Sequence, residues 1–256
     1  MQQKLSKELS KLADNVLNLV YPRHCPICDE VLEPFSVKNG KIVKGPLVHS
    51  KCSGTIKRVS GNTCIKCGKP LGGCEAEEEY CGDCKNVKHY FVRGFSAFEY
   101  RSISGSLYKF KYMGRQEYAD FYAGEIAERY GRKIKSLGID AIIPVPMYKD
   151  KENLRGYNQA EILARKISDR TGIPIYSKVI TRKRNTTPMK ELDSRGRRIN
   201  LKRAFNISKN DVKFKCILII DDIYTTGSTI DEIAHEFMIA GVQSSFFLTL
   251  AIGKTI

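Results

Sequence analysis

Cysteine is placed in this chain in a way that few folds can absorb. Eight of its nine cysteines lie between Cys25 and Cys84. Six fall in pairs with two residues between them: Cys25-Pro26-Ile27-Cys28, Cys64-Ile65-Lys66-Cys67 and Cys81-Gly82-Asp83-Cys84. His49-Ser50-Lys51-Cys52 repeats the spacing with an imidazole in the first position. Two intervening residues let a tight turn aim both side chains at one ion, so four pairs supply two tetrahedral zinc sites. Sequential pairing puts Cys25, Cys28, His49 and Cys52 on one zinc ion and Cys64, Cys67, Cys81 and Cys84 on the other; interleaved pairing stays open. Cys74 is a spare thiol. The stretch has turn residues and little apolar periodicity, so metal has to replace the missing core. Both sites are expected to be closed and structural.

The pattern changes near residue 90. Strand-like and helix-like runs then alternate, as in a parallel sheet with helices on both faces. Strands are expected at Phe91–Tyr100, Asp140–Val145, Ile175–Thr181, Cys216–Ile220 and Ser244–Ile252. Helices are expected at Ser102–Lys111, Glu117–Lys133, Tyr157–Thr171 and Ser228–Ala240. Gly172 is expected to end the third helix, and Cys216 to be a core thiol. The domains expected are an amphipathic helix over 1–21, a zinc-binding module over 22–90 and an α/β domain over 91–256.

In the first of these, Leu5, Leu9, Leu12, Val16 and Leu19 recur at helical spacing. The apolar run is too short for a signal sequence or a membrane span. A cytoplasmic protein without a transmembrane segment is expected, and peripheral membrane contact by this helix stays open. Lys and Arg number 43 against 28 Asp and Glu, a formal charge of +15. Such a field attracts polyanions: phosphate esters, nucleic acid or an anionic membrane face.

The run Ile217-Leu218-Ile219-Ile220 leads directly into Asp221-Asp222-Ile223-Tyr224-Thr225-Thr226-Gly227-Ser228-Thr229 and then a helix. Ligands of open α/β sheets bind beyond the carboxyl ends of strands. Two carboxylates there can accept hydrogen bonds from vicinal sugar hydroxyls. A hydroxyl-rich loop opening a helix offers unpaired N–H groups and the positive end of the dipole to a phosphate. This stretch resembles the phosphoribosyl-pyrophosphate (PRPP) motif of type I phosphoribosyltransferases. The resemblance gives Asp221 and Asp222 to the ribose 2′ and 3′ hydroxyls and Thr225, Thr226, Gly227, Ser228 and Thr229 to the 5′-phosphate.

Pro144-Val145-Pro146, followed by Leu154-Arg155-Gly156-Tyr157-Asn158-Gln159, reads as a second anion loop. Arg155 would contact pyrophosphate, Gly156 would give room for the backbone, and Asn158 is an alternative helix cap. From Arg182 to Arg203 nine Lys and Arg face only Glu191 and Asp193. This segment corresponds in position to the loop that closes over PRPP in that fold, and it could equally bind a nucleic-acid backbone.

These blocks, with Phe110-Lys111-Tyr112-Met113-Gly114, the run on to Ala160-Glu161, and Arg198-Ile199-Asn200 with Ala204-Phe205, together resemble the ComF family over almost the whole chain. The resemblance implies a type I phosphoribosyltransferase-like sheet with an N-terminal zinc module. It also implies a role in natural transformation, with PRPP, single-stranded DNA and competence-pathway proteins as partners. Magnesium would arrive with PRPP. His49 departs from the family's cysteine and Met189 from its glutamine. A nucleobase phosphoribosyltransferase of salvage and a non-catalytic PRPP sensor stay open as alternatives, as does any transferase activity. Thr225 stands where hypoxanthine-type relatives carry an aspartate, which disfavours a hypoxanthine or guanine acceptor. An acceptor pocket is expected around Phe91 to Arg115.

Overall fold

The computed structural model describes residues 20–73, 77–183, 204–208 and 213–253. The expected N-terminal helix, Cys74, and the basic segment from Arg184 to Arg203 with Met189 lie outside them. Among the described residues no helix is long and apolar enough to cross a membrane.

The cysteine-rich part has little regular structure. A hairpin joins β1 (Phe35–Lys38) to β2 (Lys41–Lys44), and α1 (Ser50–Ser53) and α2 (Gly82–Asn86) are single turns that carry metal-ligand candidates. From residue 93 the chain runs through β3 (Arg93–Glu99), α3 (Tyr100–Tyr112), α4 (Tyr118–Ser136), β4 (Ala141–Pro144), α5 (Lys149–Arg155) and α6 (Gln159–Thr171). It continues through β5 (Ile180–Arg182), β6 (Phe205–Ile207), β7 (Cys216–Tyr224), α7 (Ser228–Ile239) and β8 (Ser244–Ile252).

The central sheet has the order β3-β8-β7-β4, and every pairing is parallel. Strands covered on both faces need apolar residues at successive positions, and β7 and β8 show why the sequence reads as it does. Ile217 and Ile219 of β7 pack on one face with Ala141, Ile143 and Phe247 against Ile230, Ile233 and Phe237 of α7. Leu218 and Ile220 pack on the other with Ile142, Phe246 and Leu248 against α3, α4 and α6. This is the α/β class the alternation predicts.

The expected strand Ile175–Thr181 is corrected. Ile175 makes one parallel bridge to Ile142, while Ile180–Arg182 turns away to pair antiparallel with Phe205–Ile207 in a side hairpin. The polar stretch Tyr176-Ser177-Lys178 interrupts the run, so no single strand spans it. The loop expected before Gly156 contains a helix, α5. Strand β7 runs four residues past Ile220, and Cys216 at its start is half-buried, with its thiol donating to Leu137 O at 3.5 Å.

The cysteine module is stitched to the sheet through main chain. Val59 N donates to Ala97 O (3.0 Å), Glu99 N to Lys57 O (2.9 Å) and Gly94 N to Lys66 O (2.8 Å). Arg58 forks onto Glu125 of α4 at 2.6 and 2.8 Å. His89 Nδ1 lies 2.5 Å from Asp231 Oδ2 in the first turn of α7. Close approach explains Gly94: a Cβ there would sit 1.9 Å from Cζ of the fully buried Phe247. Gly94→Ala therefore costs about 3 kcal/mol through overpacking. Chemical denaturation measures it, and a loss within about 0.5 kcal/mol of zero would show that Phe247 has room to move.

Candidate functional site

Two ligand clusters form with the sequential pairing. The donor atoms of Cys25, Cys28, His49 and Cys52 lie within 4.8 Å of one another, and so do those of Cys64, Cys67, Cys81 and Cys84. An ion about 2.3 Å from each sulfur sets tetrahedral sulfurs about 3.8 Å apart. Cys67 Sγ and Cys81 Sγ are 3.7 Å apart, and Cys28 Sγ and His49 Nδ1 3.3 Å. The donor sets fit zinc, and His49 would offer Nδ1, the imidazole nitrogen that faces Cys28 Sγ. The second cluster is built into the sheet's core, where Cys64, Cys67 and Cys81 join Phe91, Tyr224 and Phe247. The first is peripheral, packed with Leu32 and Val48.

The other site is a cleft of about 1290 Å³ along the carboxyl edge of the sheet. Asp221 and Asp222 lie on its floor. Pairing of β7 with β4 ends at Ile220, while pairing with β8 continues through Asp221 and Thr249. The acids therefore sit where one side of β7 has lost its neighbour. Asp222 N donates to Asp221 Oδ1 at 2.8 Å, and Lys111 Nζ of α3 meets Asp222 Oδ2 at 2.8 Å. Burial, reinforced by the charge of Asp222, pushes the Asp221 carboxyl up to about 7. Burial alone would lower the Lys111 ammonium, but Asp222, with help from Asp221, holds it above its ordinary value. Burial depresses Arg182 against the opposing pull of Asp221. Lys151 is lowered first by burial, then by the nearby charges of Arg182 and Arg155.

A raised native carboxyl gives a definite pH signature. Between the ordinary Asp value near 3.9 and about 7 the folded chain holds a proton that the unfolded chain has lost. Stability attributable to Asp221 therefore declines as pH rises through that window. Asp221→Asn is expected to gain about 1–2 kcal/mol at pH 8 and little at pH 4. Urea unfolding at both values measures this, and an equal effect at the two would refute it.

The loop Thr225 to Thr229 closes a small cup at the start of α7, lined by Asp221 and Ile223 to Ile230. Gly227 adopts φ 78°, and a Cβ there would meet the Tyr224 hydroxyl at 2.6 Å, so both conformation and space require glycine. Thr226 Oγ1 and Ser228 Oγ lie 2.8 Å apart. The helix start at Ser228 leaves its first N–H groups without intrahelical partners beside the cup.

Across the cleft, Val145-Pro146-Met147 follow β4. Arg155 lines the same side, donating to Gln159 Oε1 at 2.7 Å and stacking 4.7 Å over the Tyr112 ring. Gly156 ends α5. Asn158 caps α6, accepting from Ala160 N at 3.0 Å. The structure thus brings Asp221, Asp222, Thr225, Thr226, Thr229 and Arg155 to one cleft. Lys151, Arg182 and the pairing role of Lys111 join them. Arg182 begins the basic segment singled out in the sequence, whereas spacing could not reveal Lys151 or the pairing of Lys111, because only tertiary folding carries α3 and α5 to the end of β7. The expected acceptor stretch contributes Glu99 to Ser102, but Thr55, Lys57, Lys69 and Pro70 of the cysteine module share that wall.

The double zinc ribbon domain family matches residues 16–85. Competence protein F of Haemophilus influenzae is 30% identical over 209 residues, covering 75% of this chain and 91% of that protein. DNA utilization protein YhgH of Salmonella typhi is 32% identical over 200 residues, covering 76% and 86%. A purine phosphoribosyltransferase from Pyrococcus horikoshii has 19% identity over 53% of this chain and 72% of its own, with a TM-score of 0.31. Fold and ligand clusters define a double zinc ribbon joined to a four-stranded parallel α/β sheet. The chain belongs to the competence protein F (ComF) family.

Proposed function

We propose that this chain binds PRPP with magnesium at the carboxyl end of β7 and handles single-stranded DNA in natural transformation. The observation that carries the reading is the half-buried pair Asp221 and Asp222 beside a hydroxyl-lined cup at a helix start. In this reading the two acids accept from the ribose hydroxyls and Thr225 to Thr229 hold the 5′-phosphate. Arg155, Gly156 and Lys151 face the pyrophosphate.

Magnesium suits the donor set. Asp222 is already paired with Lys111, and the described residues offer no carboxylate cage there. An ion held chiefly by the ligand's phosphates, with at most one or two carboxylates, is the ordinary arrangement for this metal. The metal would balance the charge of the pyrophosphate; the protein's cations and acid pair hold and orient the sugar.

The DNA half of the reading draws on the +15 charge and on the names of the relatives, which concern competence and DNA utilization. Competence-pathway proteins are the proposed partners and the cytoplasm the proposed place. Residues 22–90 act as the zinc module and 91–256 as the PRPP domain. The test is calorimetric titration of the zinc-loaded chain with PRPP and magnesium, with and without single-stranded oligonucleotide. Heat from the magnesium–PRPP titration supports the first half, and none refutes it. DNA affinity that falls with rising salt supports the second; no affinity at low salt refutes it.

A further inference from the structure

We propose that the cysteine module forms the binding wall for a second ligand, a phosphorylated nucleoside, beside the sugar-phosphate site. The proposal rests on the PRPP reading for which part of the cleft the donor takes.

Size is the first ground. At about 1290 Å³ the cleft exceeds the roughly 300–1,000 Å³ that holds one drug-sized ligand.

Position is the second. The cleft follows the strand order along one edge of the sheet. The β4 end carries Val145 to Met147, Lys151 and Arg155, and the β7 end carries the acids and the cup. Strand β8 ends at Ile252, and β3 ends at Glu99, followed by Tyr100, Arg101 and Ser102. Two strand spacings, roughly 10 Å, separate β3 from β7. A donor with its ribose on β7 and its pyrophosphate toward β4 leaves the β3 side for another molecule.

The third ground is chemistry on that side. Lys57 is set in place from both ends of its wall: Glu99 N donates to its carbonyl at 2.9 Å and Ser102 Oγ to the same oxygen at 3.3 Å. Lys69 is engaged with Asp83 at 3.3 Å. Lys57 and Arg101 are exposed and make no ion pair among the described residues, and Glu99 is the acid alongside them. Tyr100 lies in the same stretch, 38% exposed. Two cations suit a phosphate, and an exposed aromatic ring suits a base. Together they select a nucleoside that carries a phosphate, whether free or at the end of a strand.

The test uses the full-length, zinc-loaded chain and the double variant Lys57→Gln/Arg101→Gln. Thymidine 5′-monophosphate, thymidine, and oligothymidylates with and without a 5′-phosphate are titrated separately from magnesium–PRPP. The monophosphate is expected to bind the wild type more tightly than thymidine and to lose at least about tenfold in the variant, with PRPP binding unchanged. A preference for the phosphorylated oligonucleotide identifies the strand end as the source, and equal binding of the two oligonucleotides identifies the free nucleotide. Equal affinity of the monophosphate for both proteins, or for monophosphate and nucleoside, would overturn the proposal. No PRPP binding by the wild type, with the Lys57 and Arg101 dependence intact, would sink the ribose reading alone.

Discussion

Cys67→Ser is expected to lower the melting temperature of the whole chain by about 6–20 °C, whereas Cys28→Ser lowers it by much less. Structural zinc in small fingers is worth roughly 10–16 kcal/mol, as much as the net stability of a typical domain. What distinguishes the two sites is their surroundings. Cys64, Cys67 and Cys81 are buried in the cluster that also holds Phe91, Ile219, Ile233 and Phe247. Losing their ion therefore strips one face of the parallel sheet. Cys25 and Cys52 share a small cluster with Leu32, so losing theirs frees a peripheral knuckle. At about 2–4 °C per kcal/mol for chains of this size, a loss of roughly 3–5 kcal/mol gives the larger shift. Differential scanning calorimetry with zinc assay of each variant reads both. Equal shifts would mean that the second cluster does not support the sheet.

The second large effect is Asp222→Ala, which is expected to weaken magnesium–PRPP binding by about 10- to 100-fold. A hydrogen bond to a charged group is worth about 1.5–3 kcal/mol, and about 2.8 kcal/mol is a factor of 100. The same change leaves Lys111, which is only 17% exposed, without its partner. Breaking a buried pair on one side costs about 3–5 kcal/mol, so folding stability falls as well. The two effects separate in Lys111→Met/Asp222→Ala, which is expected to recover stability and not PRPP affinity. Calorimetric titration and urea unfolding measure them independently. Retention of PRPP affinity in the correctly folded double variant would remove Asp222 from the site.

The acid pair and the cup were legible because every part of them is local. Strand, carboxylates, hydroxyls and helix follow one another within thirteen residues of chain from Ile217 to Thr229. The metal ligands were legible for the same reason, and the sequential pairing expected is the one that forms, although spacing defines only the pairs and folding decides which of them meet. Arg182 was legible only as the first residue of the basic segment; Lys151 and the partner of Asp222 could not be read, since nothing local distinguishes them from the other Lys and Arg residues of a basic chain. Ile175–Thr181 misled because Ile175 bridges to β4 of the central sheet while the Ile180 run pairs in a separate hairpin. The module's share of the cleft wall was hidden by the change in composition near residue 90. That change marks a shift in how the core is made, from metal to aliphatic packing. It does not mark an edge of the site.

The seam between Val59 and Ala97, Lys57 and Glu99, and Lys66 and Gly94 is made of peptide groups. Peptide groups are common to every residue, so this join does not depend on which side chains stand there, Gly94 apart. Lineages that inherit it can exchange the side chains at 55, 57 and 101 without loosening the assembly. Ligand preference on that wall can drift between relatives while the architecture that presents it stays constant.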